Sequence, residues 1–501
     1  MSLEVLLGVV AAVVLIGVLA VRVSVRLGLP SLLLYLGIGI ILGESVLGVR
    51  FSDAALTENL GLAALVLILV EGGLTTRWKA VRPSLGIGIG LSTVAVVVSI
   101  AVAAVSLHFL LDLEWRTAFL WGAVLSSTDA AAVFSVLRGV GVPPRLAGAL
   151  ELESGMNDAP VVLAVLLLAS TDPLTWLTPL LVVYELAAGA AIGFALGWAG
   201  AWGLRRAALP STGLYPLAAL GVCVIAFSGG QLAHASGLLA TYVCALVLGN
   251  SKLPHRGGVL SFAEGTGWLA QIGLFVLLGL YASPARLVDA VVPALVAAGV
   301  LLVLARPLSV VAAALPFRLP WREQAFLSWA GLRGAVPIVL ALIALVEGAP
   351  GAERLVDVVF VLVVILTLLQ GTTLPWVAKL LGLSRVAEAR EVEVDAAPLD
   401  ELGADLLQVR IPPGSQLRGV YLRELRLPTG ATVSLVVRDE KAFTPNGQTR
   451  LRENDQLLVV ATAEARERTE ERLRAVDRGG ALVRWRDGDP GPGRDTPGAP
   501  A

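Results

Sequence analysis

Long apolar runs separated by short polar connections make up the chain from Leu3 to Leu383. A bilayer core of about 30 Å takes about 20 apolar residues of helix. That length marks out thirteen candidate spans, beginning near Leu3, Ser31, Leu60, Leu85, Thr117, Leu146, Pro179, Leu214, Gly237, Thr266, Leu287, Gln324 and Leu355. The ninth is short, ending near Leu248, and the eleventh contains Arg306 and Pro307, where a break is expected. Basic residues alternate between connections. One side carries Arg22 and Arg26, then Arg77, Lys79 and Arg82, then Arg138 and Arg145. It continues with Arg205 and Arg206, Lys252 and Arg256, Arg318 and Arg322, and finally Lys379 and Arg385. The other side carries only Arg50, Arg116, Arg286 and Arg354. The positive-inside rule then predicts an external N-terminus and a cytoplasmic C-terminus, which requires an odd number of spans.

Polar residues inside these spans are few and clustered. Asp158 sits within the apolar stretch 146–170, with Asn157 before it and Glu151, Glu153 and Ser154 one to two turns earlier. A carboxylate at membrane depth is disfavoured by about 3 to more than 10 kcal/mol, so such residues pair, face water, or carry ions and protons. The fifth span contains Ser126-Ser127-Thr128-Asp129, whose side chains compete for backbone hydrogen bonds. The twelfth contains Gly331-Leu332-Arg333-Gly334-Ala335-Val336-Pro337, which predicts an unwound segment with Arg333 at the break. Irregular backbone is tolerated in a membrane only where protein buries it or it lines a wet cavity. Paired broken helices in two halves point to an inverted-repeat transporter with its site near the midplane. Half-helix ends carry about half a unit charge. Asp129 is placed to neutralise the positive ends and Arg333 the negative ones.

After residue 383 the periodicity changes. Segments 406–411, 432–438 and 455–461 alternate as strands, separated by turns at Pro412-Pro413-Gly414, Pro428-Thr429-Gly430 and Pro445-Asn446-Gly447. Residues 417–425 and 463–476 read as short helices. The fold class is thus an all-α polytopic membrane protein with a small cytosolic α+β domain. The expected domains are a transmembrane domain at 1–383, a linker at 384–402, a regulatory domain at 403–477 and a disordered, Pro/Gly/Asp-rich tail at 478–501.

Composition agrees: 56% of the 501 residues are hydrophobic and 15% charged, against about 25% charged in soluble domains. A net charge of −1 argues against a nucleic-acid partner. Cys223 and Cys244 both lie in apolar segments and read as core thiols, and no Cys/His spacing suggests zinc. Residues 1–21 lack a basic start and a small-residue cleavage site and read as the first span, not a cleaved signal.

With Thr128-Asp129, Glu153-Ser154-Gly155-Met156-Asn157-Asp158 and Gly331–Pro337 in hand, residues 1–385 resemble the monovalent cation/proton antiporters of the sodium–proton exchanger class, NhaP-like branch. The resemblance implies a homodimer of thirteen-helix protomers in a bacterial inner membrane, each with a dimerisation domain and a mobile core domain. It implies that Asp158 binds the cation or the proton, with Ser154 as a side-chain ligand and Thr128 offering oxygen from unwound chain. Asp129 balances the crossing half-helices, Glu153 and Arg333 form a buried ion pair, and Asn157 holds the site in shape where the electrogenic branch has a second aspartate. Glu71, before Gly72 and Gly73, matches an acid near the cytoplasmic funnel. The tail, through Gly419, Leu422, Leu425, Gly430, Pro445 and Asn454-Asp455, resembles the TrkA C-terminal regulatory domain. No Gly-x-Gly-x-x-Gly precedes it, so NAD is not expected. By analogy it dimerises and takes a small effector of nucleotide type; a passive oligomerisation module is the alternative.

One carboxylate holds one proton or one cation. Thr128, Ser154 and Asp158 supply the oxygen ligands that a hard monovalent cation prefers. If the empty, charged site cannot cross the barrier, transport is exchange: one cation per proton, with no net charge moved. Antiporters with this tail are often potassium–proton exchangers, which favours potassium over sodium. A gated cation channel is the rival, but no selectivity-filter motif is present. An intramembrane hydrolase using Ser154 lacks a base, so no enzymatic activity and no cofactor are expected.

Overall fold

The computed structural model describes residues 2–27, 30–43, 51, 53–129, 142–170, 177–383, 393–399, 404–439, 441–462 and 464–479. The chain divides into two compact units, Met1–Arg385 and Val386–Ala501.

The first unit is helical. Its described helices are α1 (Leu3–Leu27), α2 (Ser31–Leu42), α3 (Ala54–Thr75), α4 (Trp78–Val81), α5 (Leu85–Ser92), α6 (Val94–Leu111), α7 (Trp115–Ser126), α8 (Pro144–Met156) and α9 (Asp158–Ala169). They continue as α10 (Thr178–Arg206), α11 (Leu214–Leu232), α12 (Gly237–Gly249), α13 (Arg256–Tyr281), α14 (Pro284–Val300), α15 (Arg306–Ala314), α16 (Trp321–Trp329), α17 (Val336–Val346) and α18 (Ala352–Leu380). Among the described residues nine helical stretches are long and apolar enough to cross a bilayer, and α2, α12 and α17 are shorter apolar helices. The protein is therefore a multi-pass membrane protein. Every expected starting position falls in one of these helices, and the short ninth span is α12.

Both anticipated breaks are present. α7 stops at Ser126, and Ser127 is extended (φ −61°, ψ 141°). The twelfth span splits into α16 and α17, with residues 330–335 non-helical. The eleventh is perturbed as well: a π-helical turn at Leu301–Ala305 joins α14 to α15. Pro307 has no N–H for the preceding turn, and the wider winding absorbs the mismatch.

Burial separates inner from outer helices. In the stretches Pro144–Ala169 and Ala352–Leu380, 61% of the apolar window is buried, against 17% in α10. Outward residues of α10 such as Leu180, Val183, Phe194 and Trp198 are exposed and apolar, as lipid contact requires. The buried side of α10 is a strip of Gly189, Gly193 and Gly197 set on the backbone of α12; a Cβ on Gly193 would lie 2.3 Å from the Ala240 carbonyl oxygen. Small residues let two helices approach where lipid supplies no hydrophobic drive between them.

Three connections meet at one end of the unit. The Asn250 side chain accepts from Trp78 N (2.8 Å) and donates to Thr76 O (2.9 Å), and Ser84 Oγ donates to Arg145 O (2.7 Å). These bonds gather the connections bearing Arg77, Lys79, Arg82, Arg145, Lys252 and Arg256, a basic end as the charge alternation predicts.

The second unit is a five-stranded antiparallel sheet in the order β1-β2-β5-β3-β4: β1 (Glu393–Leu399), β2 (Ala404–Arg410), β3 (Ala431–Arg438), β4 (Lys441–Phe443) and β5 (Gln456–Thr462). α19 (Arg466–Gly479) follows. Alternation buries Leu407 and Val409 of β2 and Leu457, Val459 and Ala461 of β5, which form the core with Leu473 and Val476 of α19. Arg438 and the fully buried Asp455 join the sheet by two 2.8 Å bonds. That carboxylate raises the Arg438 guanidinium pKa above the ordinary arginine value.

Two expectations for this unit are corrected. The stretch read as a linker contains β1, an edge strand where Pro398, which lacks an N–H, is tolerated. The helix expected over 417–425 is only a 3₁₀ turn at Leu422–Leu425. Gly419 takes a positive φ of +86°, and the backbone around it pairs with 449–451: Gly419 N donates to Leu451 O, and Leu451 N to Val420 O, both at 2.9 Å. The tail expected to be disordered, 478–501, lies almost wholly outside the described residues.

Candidate functional site

The centre of the first unit is built from the two breaks and the α8–α9 junction. The non-helical chain after α7 lies against the non-helical chain before α17, and Asp129 N donates to Leu332 O at 3.0 Å. Each strand then supplies a charge to the other's helix end. Asp129 Oδ2 accepts from Ala335 N (3.3 Å) at the start of α17, where amides lack intrahelical partners. Arg333 Nη1 donates to the carbonyls of Ser126 (2.6 Å) and Ser127 at the end of α7. Asp129 and Arg333 thus each contact the helix end that faces them. Gly334 is required here, since a Cβ would overlap the Asp129 carboxylate. Thr367 Oγ1 donates to Arg333 O (2.9 Å) and Gln370 Nε2 to Trp329 O (2.9 Å), so α18 holds the second break in place.

Asp158 begins α9. Asn157 before it keeps helical dihedrals (φ −55°, ψ −44°), so α8 and α9 remain in phase. Asp158 is 4% exposed, and Ser127 Oγ donates to its Oδ1 at 3.3 Å. Thr128 O receives Ser154 Oγ (3.2 Å) and Asn157 Nδ2 (3.4 Å), and Asn157 Nδ2 also donates to Thr128 Oγ1 (2.6 Å). Thr128, Ser154, Asn157 and Asp158 therefore converge, joined by Ser127. The result is one buried carboxylate amid hydroxyl and carbonyl oxygens. Among the described residues no group of three or more His, Cys, Asp or Glu side chains gathers. One carboxylate among neutral oxygens, with the neighbouring Asp129 engaged by the α17 amide, suits a monovalent cation or a proton better than a divalent ion.

The pairing expected of Glu153 is corrected. Its partner is Arg306 of α15, not Arg333: Arg306 Nη1 meets Oε1 and Nη2 meets Oε2 (2.8 Å), with both residues buried. The π turn that ends at Ala305 delivers Arg306 to this position, leaving Arg333 free for the carbonyls of α7. Sequence reasoning missed Arg306 as a site residue, although an arginine within an apolar span beside an expected break was a usable signal. It also passed over Ser127, the residue that touches Asp158. The Glu71 carboxylate lies against Gly267 of α13.

Residues 9–380 match the family described as sodium/hydrogen exchanger, transmembrane, and residues 406–474 match the TrkA-C domain. The K(+)/H(+) antiporter NhaP of Alkalimonas amylolytica is 33% identical over 462 residues, covering 90% of this chain and 80% of that protein. The K(+)/H(+) antiporter NhaP2 of Shewanella baltica is 33% identical over 467 residues, covering 89% and 80%. The structure of the sodium proton antiporter MjNhaP1 from Methanocaldococcus jannaschii at pH 8 superposes with a TM-score of 0.67 at 22% identity, covering 76% of this chain and 100% of that one. At that identity the likeness is one of fold.

Proposed function

The chain belongs to the sodium/hydrogen exchanger family, and on that premise we propose that it is a secondary antiporter exchanging a monovalent cation for protons at Asp158. The observation that carries this reading is the placement of one buried carboxylate beside Ser127, Thr128 and Ser154, between two helix breaks whose end charges are already answered by Asp129 and Arg333. With the dipoles balanced internally, the charge left at the site is that of Asp158. A cation or a proton neutralises it, and both compete for the same oxygens. A bare carboxylate is strongly disfavoured in the occluded state, so the centre changes sides only when loaded. One carboxylate gives one cation per proton and no net charge moved.

Ser154 Oγ and the Thr128 carbonyl are the cation ligands beside Asp158. Binding requires the Ser154 hydroxyl to turn its hydrogen away from Thr128 O, freeing both oxygens. Asn157, through Thr128 Oγ1, holds the unwound strand. Glu153 with Arg306 braces α8 against α15. Glu71 serves as an acid on the approach to the site. Potassium is favoured over sodium, since relatives covering most of this chain carry potassium in their names. We further propose a homodimer in a bacterial plasma membrane, N-terminus outside and C-terminus inside, with the tail setting activity through a small effector.

The test is proton-dye dequenching in proteoliposomes with potassium, sodium and lithium, for the full chain and for a chain lacking 386–501. Cation-dependent proton flux that ignores an imposed membrane potential is expected. Net cation flux down its own gradient with no accompanying proton movement would indicate a channel instead.

A further inference from the structure

A second carboxylate lies two turns from Asp158 on the same helix face. Glu151 precedes Asp158 by seven residues, which is about 10 Å along a helix and nearly in phase with it. Unlike Asp158 it is only partly buried, and it sits at the basic end of the unit. Its Oε1 is hydrogen-bonded to the Thr76 hydroxyl, which also lies 2.7 Å from Gly72 O. That hydroxyl has one hydrogen, and a backbone carbonyl can only accept. If Thr76 donates to Gly72 O, then Glu151 must donate to Thr76 and is protonated. If Glu151 is ionised, the Thr76 hydrogen turns towards it. Rotation about one C–O bond therefore satisfies Glu151 in either protonation state.

Tyr242 of α12 occupies the interval between the two carboxylates. Its ring and hydroxyl cover Gly155, one turn after Glu151 and just under one turn before Asp158; a Cβ there would lie 2.4 Å from the ring and 2.9 Å from the hydroxyl oxygen. Tyr242 is 3% exposed, and its hydroxyl lies close to Thr76 and Glu151. Glu153, the neighbouring acid, is turned away by Arg306.

We propose that Glu151 is a second proton-binding residue of the exchange reaction, passing protons between Asp158 and solution at the basic end by way of the Tyr242 hydroxyl. The proton leaving Asp158 is taken up along Tyr242 by the Glu151 carboxylate, and Glu151 then releases it to water. The cation does not use this route, so the two substrates share Asp158 but not the whole path. This inference rests on the exchanger reading above.

The test separates the two substrates in proteoliposomes of the full chain. Cation-driven proton flux is read with a pH dye, and rubidium–rubidium self-exchange is read with isotope at equal pH on both sides. Glu151→Gln is expected to slow the proton-coupled flux by about tenfold or more while leaving self-exchange within about twofold of wild type. Tyr242→Phe is expected to show the same split more weakly, and Glu151→Asp to restore part of the proton flux. Equal loss of both activities, or loss of neither, would overturn the relay. Should Glu151→Gln not insert, Tyr242→Phe decides by the same split. A wild-type chain that performs self-exchange but no proton-coupled flux would overturn the exchanger reading itself, a result distinct from failure of the variants alone.

Discussion

Arg306 and Glu153 form a two-pronged guanidinium–carboxylate pair in the interior of the membrane unit, 153 residues apart in sequence. Removing one partner leaves a buried charge unanswered, an effect of about 3–5 kcal/mol. Arg306→Ala should therefore lower the thermal midpoint in detergent sharply. A double-mutant cycle should find coupling of about 1–3 kcal/mol between Glu153 and Arg306 and much less between Glu153 and Arg333. The reverse order of couplings would restore the pairing expected from sequence.

Gly334 touches the Asp129 carboxylate, and a methyl group there has no room. Gly334→Ala should push Asp129 off the α17 N-terminus and lose about 1–3 kcal/mol of stability, with exchange strongly reduced. Asp129→Asn, which keeps the shape and loses the charge, should be milder in a melting experiment. If Gly334→Ala melts and transports like wild type, the carboxylate is not held as described.

Asn157 donates to Thr128 Oγ1 at 2.6 Å, a bond that an ionised aspartate cannot make. Asn157→Asp should loosen the unwound strand and add a second negative charge to the centre. The expected outcome is lower cation/proton exchange together with a new response of turnover to membrane potential, read with a potential-sensitive dye.

Much of this centre was legible in the chain. Asp158 stood out because a carboxylate in an apolar span needs a reason, and the Ser-Ser-Thr-Asp and Gly-Leu-Arg-Gly runs announced two breaks because both favour unwound backbone. The identity of partners was harder. Arg306 and Arg333 both lie beside breaks in apolar spans, and which one reaches Glu153 depends on the rotation of α15 about its axis, which a single π turn sets. Ser127 and Thr128 are adjacent and chemically alike; the extended backbone after Ser126 aims the first hydroxyl at Asp158 and the second at Asn157. In the tail, the helical pattern of 417–425 was defeated by Gly419, whose positive φ redirects the chain into pairing with 449–451.

Competition at one carboxylate fixes the sign of the pH response. Protons occupy Asp158 as pH falls, so the apparent KM for the cation should rise, by up to about tenfold per pH unit in the acid limit, since the ligand must be deprotonated to bind. The maximal rate at saturating cation should change far less. Initial-rate measurements across pH and cation concentration check this; a KM independent of pH would mean separate sites.

The central claim is that the Asp158 side chain is the group shared by the two substrates. Its most direct test is cation/proton exchange by Asp158→Asn in proteoliposomes, alongside evidence that the variant inserts and melts like a folded protein. Loss of exchange to the level of empty vesicles is predicted. A folded Asp158→Asn protein that still trades cations for protons would contradict the account.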